Sequence, residues 1–173
     1  MRLEDRAKSI RLIVLDVDGV LTDGGLYFDG QGMCMKRFHV QDGIGIKLAQ
    51  AAGLEVAIVT GDITPIVVRR AEMLGITECH QGPQRKTACV DDMRRRMGLE
   101  WDQVAFVGDD WIDMGAMRKV GLPIAVQNAQ PEVKEIAAMI TEQEGGHGAV
   151  REVIRFILTA QGAYEKLCQK WRD

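Results

Sequence analysis

The sequence predicts an α/β fold: a mostly parallel sheet with helices on both faces. Three observations point there. Short apolar runs rich in Val and Ile stand at residues 10–15, 56–60, 104–108 and 124–126, as expected of strands buried on both sides. Amphipathic stretches at roughly 43–52, 63–74, 86–97 and 111–120 lie between them. Gly53, Gly75, Gly98 and Gly121 close those stretches, and glycine readily takes the left-handed conformation that ends a helix. Alternating β and α units of this size require crossover connections, hence parallel pairing.

Taken in order, the first nine residues are charged and lack an apolar core, so no signal peptide is expected. The run at 10–15 ends on Asp16-Val17-Asp18-Gly19-Val20-Leu21-Thr22. Two carboxylates therefore emerge at a strand's carboxyl end, where open α/β sheets place their ligands. Next, Gly24 to Gly32 leads into Met33 to Val40, with two β-capable runs flanking Asp29-Gly30 and Gly32. That pattern predicts a hairpin overhanging the crevice. The run at 56–60 closes on Thr60-Gly61, and the space before Lys86 holds one helix and one strand. Lys86 opens the stretch 86–97, and the run at 104–108 delivers Asp109, Asp110 and Asp113. A helical pattern over 149–160 is followed by an amphipathic tail with Tyr164, Leu167 and Trp171. No repeat or linker interrupts the chain, so one domain is expected over 1–173, with a flap at about 24–40 and a tail at about 161–173.

Composition narrows the function. A net charge of −3 and the lack of an unbalanced Lys/Arg cluster argue against nucleic acid. The densest basic run, Arg94-Arg95-Arg96, follows Asp91-Asp92 and reads as a solvated helix face. Cys34, Cys79, Cys89 and Cys168 form no C-x-x-C pair and read as small buried hydrophobes in a reducing compartment. Cys79-His80 has no second pair with which to hold zinc. No apolar stretch reaches membrane-spanning length. A cytoplasmic protein without a membrane or nucleic-acid partner is expected.

The strand-end residues suit phosphate-ester cleavage, which needs an in-line nucleophile, charge neutralisation and a proton for the leaving oxygen. Asp16 can attack phosphorus and form an acyl phosphate. Asp18 can protonate the leaving group and then deprotonate water. Thr60 offers a hydroxyl, and the Gly61 N–H can approach phosphate closely. Lys86 supplies a point charge. Asp109 and Asp113 supply hard oxygens for Mg²⁺. Singly, Thr60 reads as well as a helix cap and Lys86 as a surface lysine. An EF-hand fails because Val20 and Tyr27 stand where ligands are needed, and Gly43-Ile44-Gly45 lacks the third glycine of a dinucleotide loop. A non-catalytic phospho-receiver would not need Asp18, and its Lys would follow the acidic pair rather than precede it.

In this order, Asp16-x-Asp18-Gly-Val-Leu-Thr, Val59-Thr60-Gly61, Lys86 and Gly108-Asp109-Asp110-x-x-Asp113 resemble the four motifs of the haloacid dehalogenase superfamily. The resemblance implies a Rossmann-like three-layer sandwich, an aspartyl-phosphate intermediate, and Mg²⁺ held by Asp16, the backbone of Asp18, and Asp109. A closer resemblance over roughly residues 8–162 rests on Asp16 to Gly25, Phe38 to Gly43, Gln81-Gly82 and Gly145 to Glu152. It is to the phosphatases of phosphorylated ulosonic acids, above all the 3-deoxy-D-manno-octulosonate 8-phosphate phosphatase family. It implies hydrolysis of that ester, with phosphate or substrate contacts at Gly61, Asp62, Lys86, Asp42, His147 and Arg151. The chain has no room for a cap domain, only for the hairpin. An uncapped site must act on a macromolecule, such as a phosphoprotein or a polynucleotide end, or borrow a lid from a neighbouring subunit. The resemblance implies the latter, a homotetramer in which hairpins pack together and a neighbour's carboxyl-terminal segment reaches the site. Leu26, Tyr27 and Phe28 suit such burial, as they would suit packing on their own domain.

Two departures bear on the substrate. Octulosonate phosphatases usually carry Arg after Thr-Gly and within the Gly-Gly-Arg-Gly turn, where this chain has Asp62 and His147. An acid at 62 is more like the phosphatases of nine-carbon ulosonate 9-phosphates. A substrate carboxylate wants a cationic partner, for which Arg69, Arg70 and Arg151 are the candidates.

Overall fold

The computed structural model describes residues 2–82 and 85–169. Among these, six strands form a parallel sheet in the order β5-β4-β1-β6-β7-β8: β1 (Leu12–Leu15), β4 (Glu55–Thr60), β5 (Glu78–Gln81), β6 (Val104–Gly108), β7 (Leu122–Ala125) and β8 (Met139–Ile140). The hairpin is a separate antiparallel pair, β2 (Tyr27–Asp29) and β3 (Gly32–Met35). From β1 the chain passes through α2 (Val40–Ala51) to β4, and through α3 (Pro65–Leu74) to β5. It returns through α4 (Lys86–Arg96) to β6 on the other side of β1, then through α5 (Trp111–Met117) and α6 (Pro131–Ile136) to β7 and β8. The direction of winding thus reverses between β1 and β6, and right-handed crossovers then place helices on both faces. On one face α2 packs against α3 and α7 (Ala149–Ala160), and α7 against α1 (Leu3–Ser9); on the other, α5 packs against α4 and α6. The three-layer, Rossmann-like expectation holds.

The central strands are apolar because both their faces are covered. Every residue of β1, β6 and β7 is buried. Helix α7 turns Val150, Val153, Ile154, Ile157 and Leu158 inward, the i, i+3, i+4 stripe of a core-facing helix. Gly45 of α2 meets it closely: a Cβ there would lie 3.2 Å from the Arg151 Cα. That approach of two helices explains a glycine of Gly43-Ile44-Gly45 without any dinucleotide.

The boundaries differ from expectation in places. Thr64 accepts a hydrogen bond from the Ile66 N–H and Pro65 follows it, so α3 starts at 65 rather than 63. Helix α2 begins at Val40, three residues before its amphipathic pattern. The charged amino-terminal stretch is a helix, held by burial of Ala7 against α7. The short elements α6 and β8 had no periodic signal. Cys34 is exposed and Cys79, Cys89 and Cys168 are half-buried, against the buried role expected of the cysteines. Tyr164 and Leu167 lie on α8 (Tyr164–Gln169), and the expectation for Trp171 falls outside the described residues. No helix among the described residues is long and apolar enough to cross a membrane.

Candidate active site

Strand β1 pairs with β4 and β6 so that Leu15 faces Ile58 and Val107. Asp16 follows directly and stays in register, its N–H donating to the Val107 carbonyl at 3.1 Å. It therefore emerges beside the point where the winding reverses. Its Oδ1 accepts from the Val17 N–H at 2.6 Å and lies 2.8 Å from Lys86 Nζ, which fixes the carboxylate's orientation. Thr60 ends β4, buried, two residues past the Leu15 pairing, with Gly61 behind it.

Lys86 is buried at the first position of α4. Its Nζ also donates to Asp113 Oδ1 at 2.7 Å. The other oxygen of Asp113 accepts from the Asp109 and Asp110 N–H groups at 3.0 and 3.3 Å. Asp113 thus holds Lys86 and closes the amino terminus of α5 through a capping box with Asp110. A Cβ on Gly108 would lie 2.6 Å from that carboxylate, so only glycine fits there.

Asp109 faces Asp16 across the crevice. Oxygens of Asp16, Asp109 and Asp113 lie within 4.8 Å of one another. Asp109 Oδ1 is buried and has no hydrogen-bond partner. Burial, then the neighbouring charge of Asp113, push the Asp16 carboxyl up to about 7 despite Lys86. Burial and the charges of Asp16, Asp113 and Asp110 push Asp109 up to about 8. Carboxylates so crowded need a cation, and an orphaned acidic oxygen is a hard ligand for one. The site fits Mg²⁺. Asp16, Asp109 and Asp113 would each offer it a carboxylate oxygen, Asp113 while also holding Lys86, and the family resemblance adds the backbone of Asp18.

The loop from Val17 to Thr22 turns on Gly19, whose φ is +83°. A Cβ on Gly19 would come within 2.1 Å of Asp109 Oδ2, so the bare backbone is what lets the two loops meet. Asn128, which no sequence signal singled out, ties this loop to the later glycine turn. Its Nδ2 donates to the Gly19 carbonyl at 3.0 Å, and its Oδ1 accepts from the Gly145 N–H at 2.7 Å. Gly145 and Gly146 press against the backbone of Gly19 and of Thr22-Asp23 too closely for any Cβ.

Lys36 was also missed. It follows β3, its side chain is fully buried, and its Nζ donates to both oxygens of Asp18 at 2.6 and 2.7 Å. The same ammonium lies 2.9 Å from Asp62 Oδ2. The hairpin stem is thereby joined to the first loop, a link reinforced by a backbone bridge between Thr22 and Phe38.

The remaining predicted residues lie around this cluster, His147 and Arg151 lining one cavity together. Asp42 is buried on α2 and accepts from the Arg151 N–H at 2.8 Å, capping α7; burial raises its carboxyl. The Arg151 guanidinium turns toward the Tyr164 hydroxyl, 3.5 Å away. His147 lies on the glycine turn, its Nδ1 3.0 Å from the Gly145 carbonyl and its Nε2 3.3 Å from Arg37. A carbonyl only accepts, so Nδ1 carries the proton and Nε2 receives from Arg37. Arg69 pairs with Glu72 on the surface. Arg70 lies over the Phe38 ring near the His39 carbonyl. Contacts thus join Asp16, Lys86, Asp109 and Asp113 directly. Thr60 ends the neighbouring strand, Asp18 and Asp62 meet at Lys36, and Asp42 ties α2 to the start of α7 through the Arg151 N–H.

A family model described as haloacid dehalogenase-like hydrolase matches residues 75–154. The 3-deoxy-D-manno-octulosonate 8-phosphate phosphatase of Escherichia coli K12 is 44% identical over 161 residues, covering 93% of this chain and 86% of that protein. The crystal structure of the enzyme of that name from Yersinia pestis superposes with a TM-score of 0.92 at 41% identity, over 94% of this chain and 88% of that one. The Moraxella catarrhalis phosphatase, crystallised with a magnesium ion, a phosphate ion and a KDO molecule, gives 0.95 at 36% identity, over 98% and 97% of the two chains. Sequence, fold and crevice agree: the chain belongs to the haloacid dehalogenase-like hydrolases, in the family of the 3-deoxy-D-manno-octulosonate 8-phosphate phosphatases.

Proposed function

We propose that this protein is a Mg²⁺-dependent phosphatase that hydrolyses a phosphorylated ulosonic acid, foremost 3-deoxy-D-manno-octulosonate 8-phosphate, to the free sugar acid and inorganic phosphate. The observation that carries this reading is the buried Asp16, held by Lys86 and faced by the unpartnered oxygen of Asp109. Asp16 attacks phosphorus, and the P–O bond to the sugar breaks as Asp18 gives its proton to the departing oxygen. A water then attacks the aspartyl phosphate, losing its proton to Asp18; the new P–O bond displaces Asp16 and phosphate leaves. Thr60, the Gly61 N–H and Lys86 receive the phosphoryl oxygens. Bound Mg²⁺ offsets the repulsion between a carboxylate nucleophile and a phosphate dianion.

A single domain would act in the cytoplasm as a homotetramer, with a neighbour's segment after about residue 162 bordering the crevice. Asp62 and His147 favour a second reading, a nine-carbon ulosonate 9-phosphate as substrate. Side-by-side kcat/KM values on the two ulosonate phosphates, with a neutral sugar phosphate as control, separate the readings. Preference for neither acid over the control would remove the ulosonate assignment. Asp16→Asn should abolish Mg²⁺-dependent phosphate release, and normal turnover in that variant would end the covalent mechanism.

A further inference from the structure

Lys36 is a buried cation at the edge of the crevice that the reaction described above does not use. Desolvating an ammonium is costly unless carboxylates answer it. Two do: Asp18 takes it through both oxygens at 2.6 and 2.7 Å, and Asp62 stands 2.9 Å away. With its side chain fully buried between them, the ammonium presents no open side to an incoming anion. A contact to both oxygens holds the Asp18 carboxyl turned toward Lys36, so where the hairpin stem seats the ammonium sets where the carboxyl lies. The grip is anchored from both directions. Behind Lys36 the Thr22–Phe38 bridge holds the hairpin stem to the first loop, and Asp62 holds Nζ from the loop after β4. An arginine at position 62 would set a second cation against Lys36, so the acid there has a local reason that needs no substrate.

We propose that Lys36 is a positioning residue that aims the Asp18 carboxyl at the leaving oxygen, and that Asp62 acts by seating Lys36 rather than by binding the sugar acid. The proposal rests on the reading of Asp18 as the proton donor. A defect in aiming Asp18 harms a leaving alkoxide, which needs a proton, and spares p-nitrophenolate, which departs without one. kcat/KM isolates this step, because it reports events only up to the first irreversible bond cleavage.

The test compares Asp18→Asn, Lys36→Met, Lys36→Arg and Asp62→Asn under saturating Mg²⁺. Three substrates are used: the octulosonate phosphate, a neutral sugar phosphate and p-nitrophenyl phosphate. Lys36→Met should lower kcat/KM about 10²-fold on both sugar esters, the scale of acid–base assistance, and by no more than about threefold on the aryl ester. Asp62→Asn should follow the same pattern with smaller losses, and Lys36→Arg should recover most of the activity. Equal losses on all three substrates, or no loss, would overturn the proposal. So would a loss confined to the carboxylate-bearing ester, which would make Lys36 a ligand. If Lys36→Met does not fold, Asp62→Asn decides by the same criteria. Asp18→Asn separates the two layers: leaving-group-dependent losses there but not at Lys36 sink this proposal alone. Their absence at Asp18 sinks the donor assignment and the proposal with it.

Discussion

Asp109 holds the least compensated charge in the crevice. One of its oxygens is buried without a partner, and burial with three acidic neighbours pushes its pKa up to about 8. An acid whose pKa rises on folding destabilises the folded state increasingly as pH climbs from the unfolded value, near 4, toward the folded one. Asp109→Asn should therefore raise the metal-free Tm at pH 8 by several degrees, at roughly 2–4 °C per kcal/mol for a chain of this size. The same change should abolish activity and the stabilisation that Mg²⁺ confers on the native enzyme. Thermal scans with and without Mg²⁺ check both, and an undiminished Mg²⁺ response would remove Asp109 from the metal site. Asp16, Lys86 and Asp109 were legible because each directly follows or opens a recognisable element. Lys36 and Asn128 were not, since a lysine after a hairpin strand and an asparagine beyond a sheet strand are ordinary surface residues. Their partners lie far away in sequence: Asp62 for one, Gly19 and Gly145 for the other.

Strand β5 ends one edge of the sheet, where nothing among the described residues extends the ladder. Glu78 secures it. The carboxylate accepts two hydrogen bonds from Arg96 of α4, both at 2.9 Å, and contacts His80 at 2.6 Å. Arg96 first, with His80 assisting, holds the Glu78 pKa down to about 2 from an ordinary 4.5. A lowered folded-state pKa makes this stabilisation complete above about pH 4.5 and loses it as pH falls toward 2. Glu78→Gln should thus cost stability at neutral pH and flatten the decline of Tm between about pH 5 and pH 2. An acid limb as steep as that of the native protein would exclude the pairing. At this scale, the central strands were read from short apolar runs rich in Val and Ile, and α7 from its helical pattern. The elements that escaped, α1, α6 and β8, are too short to carry a period and exist because neighbours bury one side of them.

Across the whole molecule, the hairpin leaves Leu26, Tyr27, Phe28 and Met35 exposed, with Phe28 at 65%. Of the two readings of that apolar strand, packing on its own domain is not what this chain does. Clustered apolar side chains on an exposed strand mark an interaction surface, which supports the proposed assembly through hairpins. Phe28→Asp should shift the protein to smaller species by sedimentation velocity, with Tm of the dissociated chain retained and kcat/KM reduced. An unchanged sedimentation coefficient would exclude the hairpin from the interface.

By itself the sequence determined the central strands, the longer helices between them, and the carboxylates, lysine and threonine at the strand ends, because apolar patterning and strand-end position are local properties. It also carried the family resemblance, since those motifs recur in fixed order. Only the tertiary structure decided that Asp113 holds Lys86 as well as facing Asp16 and Asp109, and that Asp42 caps α7. It alone brought Lys36 between Asp18 and Asp62. Each of these depends on which distant backbone closes on which, and a buried charge takes its role from the partner that folding supplies.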